Sequence, residues 1–455
     1  MSWLFLSTLY LKVFGISFWN GIIAVVRPIL FLGTGKEFQR TFTAQARGIF
    51  AGNIVSILHS KSIFGYDTRS LRSALVMHAV DAFNPFKRAQ PFQWRGPVVV
   101  SSVAGLGDLF IHLPLIGGIV NACHERRLEI TVALRPAQVE IGRRLGWEVL
   151  PFDNGLEDFF KNPGGIRFSD FANTVHTVRD KQPALWIDLT GNAISALAVK
   201  ICGVKTLAAR ITRGGKSLID HPLPHVVQEN DYRNRERVAG YLGCKLDFNL
   251  PLRLIAEAPP DISGSVVLCI TTASRWKNWP LANFRLLVER FPQTRFTVIG
   301  FRREVLAEEL PELEQIAHGP NVVNRMDELA GHEMVNLIAH CRAVVSNDTS
   351  AAHIANFFGK PGAVLFGPVS PKTFAAPDGL RVFHDATCPF HPCVQWRCDN
   401  QANWCMRKID VRDVAAHLAS VLALRDKIDI VASAAEPAHD AAHEPDWQRQ
   451  AQLPV

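Results

Sequence analysis

The sequence predicts an α/β protein: two lobes in series, each a parallel sheet covered by helices, with a helical extension in front and a disordered tail behind. Three observations carry this. From Val98 onward, short apolar runs recur with helical stretches between them, as buried parallel strands do. The recurrence falls into two series, 96–256 and 257–427, each long enough for its own core. Between them the rhythm pauses in a Pro-rich stretch, PLRLIAEAPPD (Pro251–Asp261), the natural place for a linker. Two such series make two Rossmann-like lobes facing across a cleft.

The elements follow in order. Residues 1–95 read as helical, with no strand alternation, until Pro85 and Pro91 break the pattern. Val98–Ser102, Ile130–Leu134, Leu185–Leu189 and Thr206–Ile211 are the strands of the first lobe. In the second lobe, strands are expected at Val266–Thr271, Arg295–Gly300, Asn321–Asn324, Ala343–Ser346 and Gly362–Phe366. Helices lie between them at Leu281–Phe291 and Glu304–Ala317, and a last amphipathic helix runs from about Asp410 to Leu424. The tail, 428–455, is rich in Ala, His, Glu and Pro and reads as disordered.

Charge is unevenly placed. Residues 1–95 hold eleven Lys/Arg against three Asp/Glu, whereas the whole chain nets only +7, so all the net positive charge sits in this segment. Mixed with Trp3, Phe5, Phe14, Phe18 and Trp19, it suits an anionic membrane surface better than nucleic acid. The uncharged run Val13–Val26 is too short to span a bilayer, and a signal peptide's basic start and small-residue cleavage site are missing. An interfacial anchor is one reading; a helical pair packed on the protein itself, or a dimer contact, is the other. Of nine cysteines, Cys123, Cys202, Cys244, Cys269 and Cys341 are scattered, which points to a reducing, cytoplasmic compartment.

Polar side chains gather where strands should end. AGLGD (Ala104–Asp108) follows the first strand; Gly105 and Gly107 permit a tight turn, and Asp108 stands where a helix begins, a usual capping position. The GxGxxG pattern is missing, and TVALRP ends in Arg135 and Pro136 where a dinucleotide site wants an acid, which argues against a dehydrogenase. In the second lobe, ITTASRWKNWP places Thr271 and Thr272 at a strand end and Lys277 in the next loop, a set suited to a phosphate or, equally, an ordinary surface loop. In VSNDTSAAHIANFFGKPGAVLFGP, Asp348 and Thr349 would cap a helix carrying His353, whose free N–H groups face the cleft. Capping alone, with a buried structural histidine, is the plainer account. It leaves unexplained why this cap and the lysine loop share one sheet edge.

Five blocks, GLGDLFIHLPL, LWIDLTGN, TTASRWKNWP, NDTSAAHIANFFGKPGAVLFGP and CPFHPCVQWRCDNQANWCM, resemble in order the family 9 glycosyltransferases, the heptosyltransferases of lipopolysaccharide core synthesis. The resemblance spans roughly Pro97–Leu424 and leaves 1–95 unaccounted for. It implies a GT-B fold, with the acceptor on the first lobe and the nucleotide-sugar on the second. It implies Asp108 as general base; Thr271, Thr272 and Lys277 as a diphosphate loop with one extra residue; and Asp348, Thr349, Ser350 and His353 as the donor motif. Glu304 resembles the ribose acid, and Ser350 stands where the family has Gly.

The implied reaction is inverting transfer of heptose from ADP-heptose to a lipopolysaccharide-core or related glycolipid acceptor, with no cofactor or metal, at the inner face of the inner membrane. Alternatives are the same fold with another nucleotide-sugar or a non-lipid acceptor, or a membrane-attached scaffold that does not catalyse. Cys388, Cys393, Cys398 and Cys405 stand close enough in sequence to hold zinc or iron, although packing of their loop is the favoured reading.

Overall fold

The structure, a computed structural model, describes residues 91–152, 168–191, 193–210, 215–226, 229–254, 264–393, 398, 400–401 and 404–435. All of them belong to one compact unit, Arg72–Val455. The expected extension up to residue 90, linker residues 255–263 and tail residues 436–455 lie outside the described residues.

The first lobe runs β1 (Val98–Ser102), α1 (Leu106–Glu125), β2 (Ile130–Leu134), α2 (Val139–Arg144), β3 (Val149–Pro151), α3 (Phe168–Lys181), β4 (Leu185–Asp188), α4 (Ala193–Ile201), β5 (Thr206–Arg210), β6 (His221–Leu223), α5 (Asp231–Leu242) and α6 (Leu250–Leu254). The second runs β7 (Val266–Cys269), α7 (Leu281–Glu289), β8 (Phe296–Ile299), α8 (Leu310–Ala317), β9 (Val322–Asn324), α9 (Gly331–His340), β10 (Ala343–Asn347), α10 (Ser350–Phe357), β11 (Gly362–Phe366), α11 (Pro371–Phe374), β12 (Arg381–His384) and α12 (Val411–Ala435).

Both sheets are parallel and share one design. Their orders are β3-β2-β1-β4-β5-β6 and β12-β11-β10-β7-β8-β9. In each, the first strand of the lobe sits beside the fourth, so chain order reverses there: β1 pairs with β2 on one side and β4 on the other, and β7 with β8 and β10. Crevices at such reversals are where ligands bind in open α/β sheets. The central strands are buried throughout, which is why they read as unbroken apolar runs.

Three strands were not expected: β3, β6 and β12. All lie at sheet edges, two contain proline (VLP and HPL), and β12 is partly exposed, so none shows the apolar run of a central strand. Three further expectations change. The helix expected over Glu304–Ala317 is two 3₁₀ turns, Arg302–Glu304 and Ala307–Glu309, followed by α8, because Pro311 fits a first helical turn. The Pro-rich pause begins as a helix, since Pro251 also falls in the first turn of α6. The last helix, α12, runs on to Ala435, eight residues into the segment expected to be disordered, on a VASAA stretch with no helix breaker.

Helix α1 is long and apolar enough to cross a bilayer, yet it is a core helix, buried without a break from Leu109 to Val120. It packs against β1 and against α5 and α10, and so touches both lobes. One apolar cluster therefore spans them, from Val98, Phe110 and Leu113 to Ala351, Ile354 and Phe366. Separate clusters fill the outer faces, around Trp186 in the first lobe and Trp279 in the second.

Candidate active site

The polar residues of interest stand at the two chain-order reversals, at the carboxyl ends of β1, β7 and β10. Asp108 is the third residue of α1, and its Oδ2 accepts the Gly105 backbone N–H at 3.1 Å. The expected capping role is real and leaves the carboxyl at the mouth of the turn. Burial pushes its pKa above the usual carboxylate value; His353 opposes this, Asp231 reinforces it, and the Gly105 N–H and Arg210 oppose it more weakly. One residue earlier, Gly107 permits the close approach of the second lobe. A Cβ there would lie 2.9 Å from His353 Cδ2 and 3.3 Å from Ser350 Cα. The amino-terminal ends of α1 and α10, one from each lobe, thus abut.

On the second lobe, Lys277 Nζ lies 2.7 Å from Asp348 Oδ2, with both side chains largely buried. This corrects one expectation: Asp348 does not cap α10. Thr349 does, accepting from Ala351 N at 3.3 Å, while Asp348 is drawn to the lysine. Asn347 holds the lysine loop in place, accepting from Trp279 N and donating to Ile270 O, each at 3.0 Å.

The two threonines also serve the loop itself. Thr271 Oγ1 donates to Glu304 Oε2 at 2.9 Å and accepts from Phe301 N at 2.9 Å; Thr272 Oγ1 donates to Ser274 O at 2.7 Å. Gly300 allows the first arrangement, since a Cβ there would fall 2.4 Å from Thr271 Oγ1. Glu304 is thereby fixed at the carboxyl end of β8, beside the lysine loop. His353 is buried, which lowers its pKa; Asp348 and Asp108 pull it up, Lys277 down, and Asp231 up again.

The structure thus brings Asp108, Ser350 and His353 together across the lobes and sets Lys277, Asp348 and Thr349 beside them. A carboxylate, a cation, a helix amino terminus and a buried imidazole are the parts needed to deprotonate a hydroxyl and hold a leaving diphosphate.

Residues 220–401 match glycosyltransferase family 9 (heptosyltransferase). Over that stretch the chain is similar to family 9 glycosyltransferases. The match takes in Thr271, Thr272, Lys277, Glu304, Asp348, Ser350 and His353, whereas Asp108 lies upstream of it. The chain is similar to lipopolysaccharide heptosyltransferase 1 of Pseudomonas aeruginosa, 30% identical over 162 residues, covering 34% of this chain and 43% of that one. It is also similar to lipooligosaccharide heptosyltransferase 2 of Haemophilus ducreyi, 33% identical over 102 residues, covering 21% and 29%. The match therefore spans less than half the length of these curated relatives.

Among solved structures, the fold is similar to E. coli heptosyltransferase WaaC with ADP (TM-score 0.56, 16% identity, 71% of this chain and 99% of that one). It is also similar to the family 9 glycosyl transferase of Veillonella parvula (TM-score 0.54, 15%, 74% and 99%). The GT-B fold is thereby established.

Near the start of α5 lie residues that sequence reasoning passed over. Asn230 caps α5, Asp231 faces Arg210 at 3.6 Å, and the Tyr232 hydroxyl lies 2.9 Å from His353 Nδ1. The only local signal in this stretch was a helix start.

The four clustered cysteines line one cavity of about 10 Å³ under Trp276, room for roughly one water. Burial, then the neighbouring thiols, push Cys405 up to about 12. Among the described residues no group of three or more His, Cys, Asp or Glu side chains is arranged to hold a metal ion. Trp276 and Trp404 line the same cavity, and Trp404 Nε1 donates to Trp276 O at 2.8 Å.

Proposed function

We propose that the protein is an inverting glycosyltransferase that moves heptose from ADP-heptose to a lipopolysaccharide-core or related glycolipid acceptor. The observation that carries this reading is the meeting of the α1 terminus, which bears Asp108, with Ser350 and His353 at the start of α10, in a chain whose residues 220–401 match family 9. Asp108, as carboxylate, takes the proton of the acceptor hydroxyl during attack on the anomeric carbon. The bond to the diphosphate breaks on the opposite face, so configuration inverts. Lys277, Thr349 and the backbone N–H groups at the start of α10 meet the charge growing on the leaving group, a task that needs no divalent ion. Glu304 holds the nucleotide ribose. ADP bound to the E. coli enzyme of like fold supports ADP as the leaving group here.

The acceptor is set by loops of the first lobe. The basic segment 1–95 makes the enzyme peripheral to the inner face of the inner membrane, where a lipid-linked acceptor resides.

The test is ADP release from ADP-heptose and a deacylated core acceptor, with Asp108→Asn alongside. Release by the native protein and not by the variant is expected. No release by either, across several nucleotide-sugars and acceptors, overturns the reading.

A further inference from the structure

We infer that Tyr232 is a positioning residue of this site, whose hydroxyl reaches across from the first lobe and holds His353 as the tautomer protonated on Nε2. Only its effect on turnover rests on the transfer reading above; the tautomer does not.

Two contacts stitch the start of α5 to the second lobe. Asn230 accepts from Tyr232 N at 3.0 Å and donates through Nδ2 to Ala375 O at 2.7 Å and to Lys372 O at 3.2 Å. Two residues on, Tyr232 Oη meets His353 Nδ1 at 2.9 Å, and both side chains are buried. Which atom donates follows from burial. Among the described residues, His353 Nδ1 is the one hydrogen-bond acceptor for the Tyr232 hydroxyl. A buried O–H seldom goes without an acceptor, and this proton has no other. Tyr232 therefore donates to Nδ1, and burial keeps that phenol protonated, its pKa pushed up to about 12.

A neutral imidazole that accepts on Nδ1 carries its proton on Nε2. The ring atom next to Nε2, Cδ2, is the one that faces Gly107 at the junction of the two helix termini. His353 therefore offers an N–H to the space between the lobes, where an anionic leaving group needs a donor. The other tautomer would offer a lone pair and repel it. Because Tyr232 belongs to the first lobe and His353 to the second, this arrangement holds only while the lobes are apposed.

The experiment uses the full chain labelled with ¹⁵N, with the imidazole nitrogens read at pH 8 and His353 identified through His353→Gln. The native protein is expected to show the Nε2–H pattern. Tyr232→Phe should shift His353 towards a mixture of tautomers and lower turnover about tenfold, with the KM for the nucleotide-sugar changed far less. Freed of the phenol, Nδ1 should also take a proton at higher pH, in a setting where Asp108 of α1, Asp231 of α5, and Asp348 and Lys277 beside α10 are unchanged.

Should the phenylalanine variant not fold, the native spectrum decides alone, since the inference requires the Nε2–H pattern there. An Nδ1–H pattern in the native protein, or a His353 signal unmoved by Tyr232→Phe, overturns the inference. Should the tautomer respond while no sugar is transferred by any form, the transfer reading alone fails.

Discussion

At the scale of single residues, the site is built from charges held in uneasy company. Lys277 and Asp348 form a largely buried pair, so removing one partner strands the other. Lys277→Ala is expected to lower stability by about 3–5 kcal/mol, and Lys277→Ala with Asp348→Asn to recover much of it; thermal unfolding of the two variants measures the difference. Asp108 behaves oppositely. Its raised pKa means that the folded state favours the neutral acid, so this group's contribution to stability is lost as pH rises through that value. At pH 8 Asp108→Asn should therefore unfold at the same temperature as the native protein or higher, while transfer falls about 10²–10⁴-fold. On the proposed transfer reaction, the acid limb of the native rate profile should lie above the ordinary carboxylate range, because Asp108 can accept a proton only when ionised. Asp108, Lys277, Asp348 and His353 were legible in the sequence because each follows an apolar strand in a recurring order. Tyr232 was not: its partner is 121 residues away, and nothing beside it marks the contact.

At the scale of elements, the two facing helix termini set the tolerance of the site. Gly107 is the narrowest point, and Gly107→Val is expected to push α1 and α10 apart and reduce turnover by at least tenfold. Because the strands below are untouched, the unfolding temperature should move by only a few degrees; kinetics and thermal unfolding together distinguish a displaced site from a damaged fold. The same scale shows what sequence could and could not convey. Central strands such as Val98–Ser102 and Gly362–Phe366 declare themselves, being buried on both faces and therefore apolar throughout. Edge strands such as His221–Leu223 do not, since half-exposure and a proline erase the pattern. Pro251 was read as the start of a linker and Pro311 was passed over inside one long helix, whereas in three dimensions each sits in the first turn of a helix.

At the scale of the whole molecule, the chain is ordered by position: basic charge at the front, then one parallel-sheet lobe, then the second. Removal of residues 1–90 is expected to leave ADP release with a soluble acceptor unchanged within twofold. It should abolish sedimentation with vesicles rich in anionic lipid, and the full chain's own sedimentation should fall as salt rises. Vesicle sedimentation and ADP release from the same preparations check both halves of this expectation. The apolar cluster joining the lobes through α1 and α10 has a thermal meaning as well. A joint made of hydrocarbon is held together near room temperature mainly by the entropy of the water it excludes, and that force weakens on cooling. Cooling therefore slackens the seam between the two halves of the site, and moderate warming tightens it.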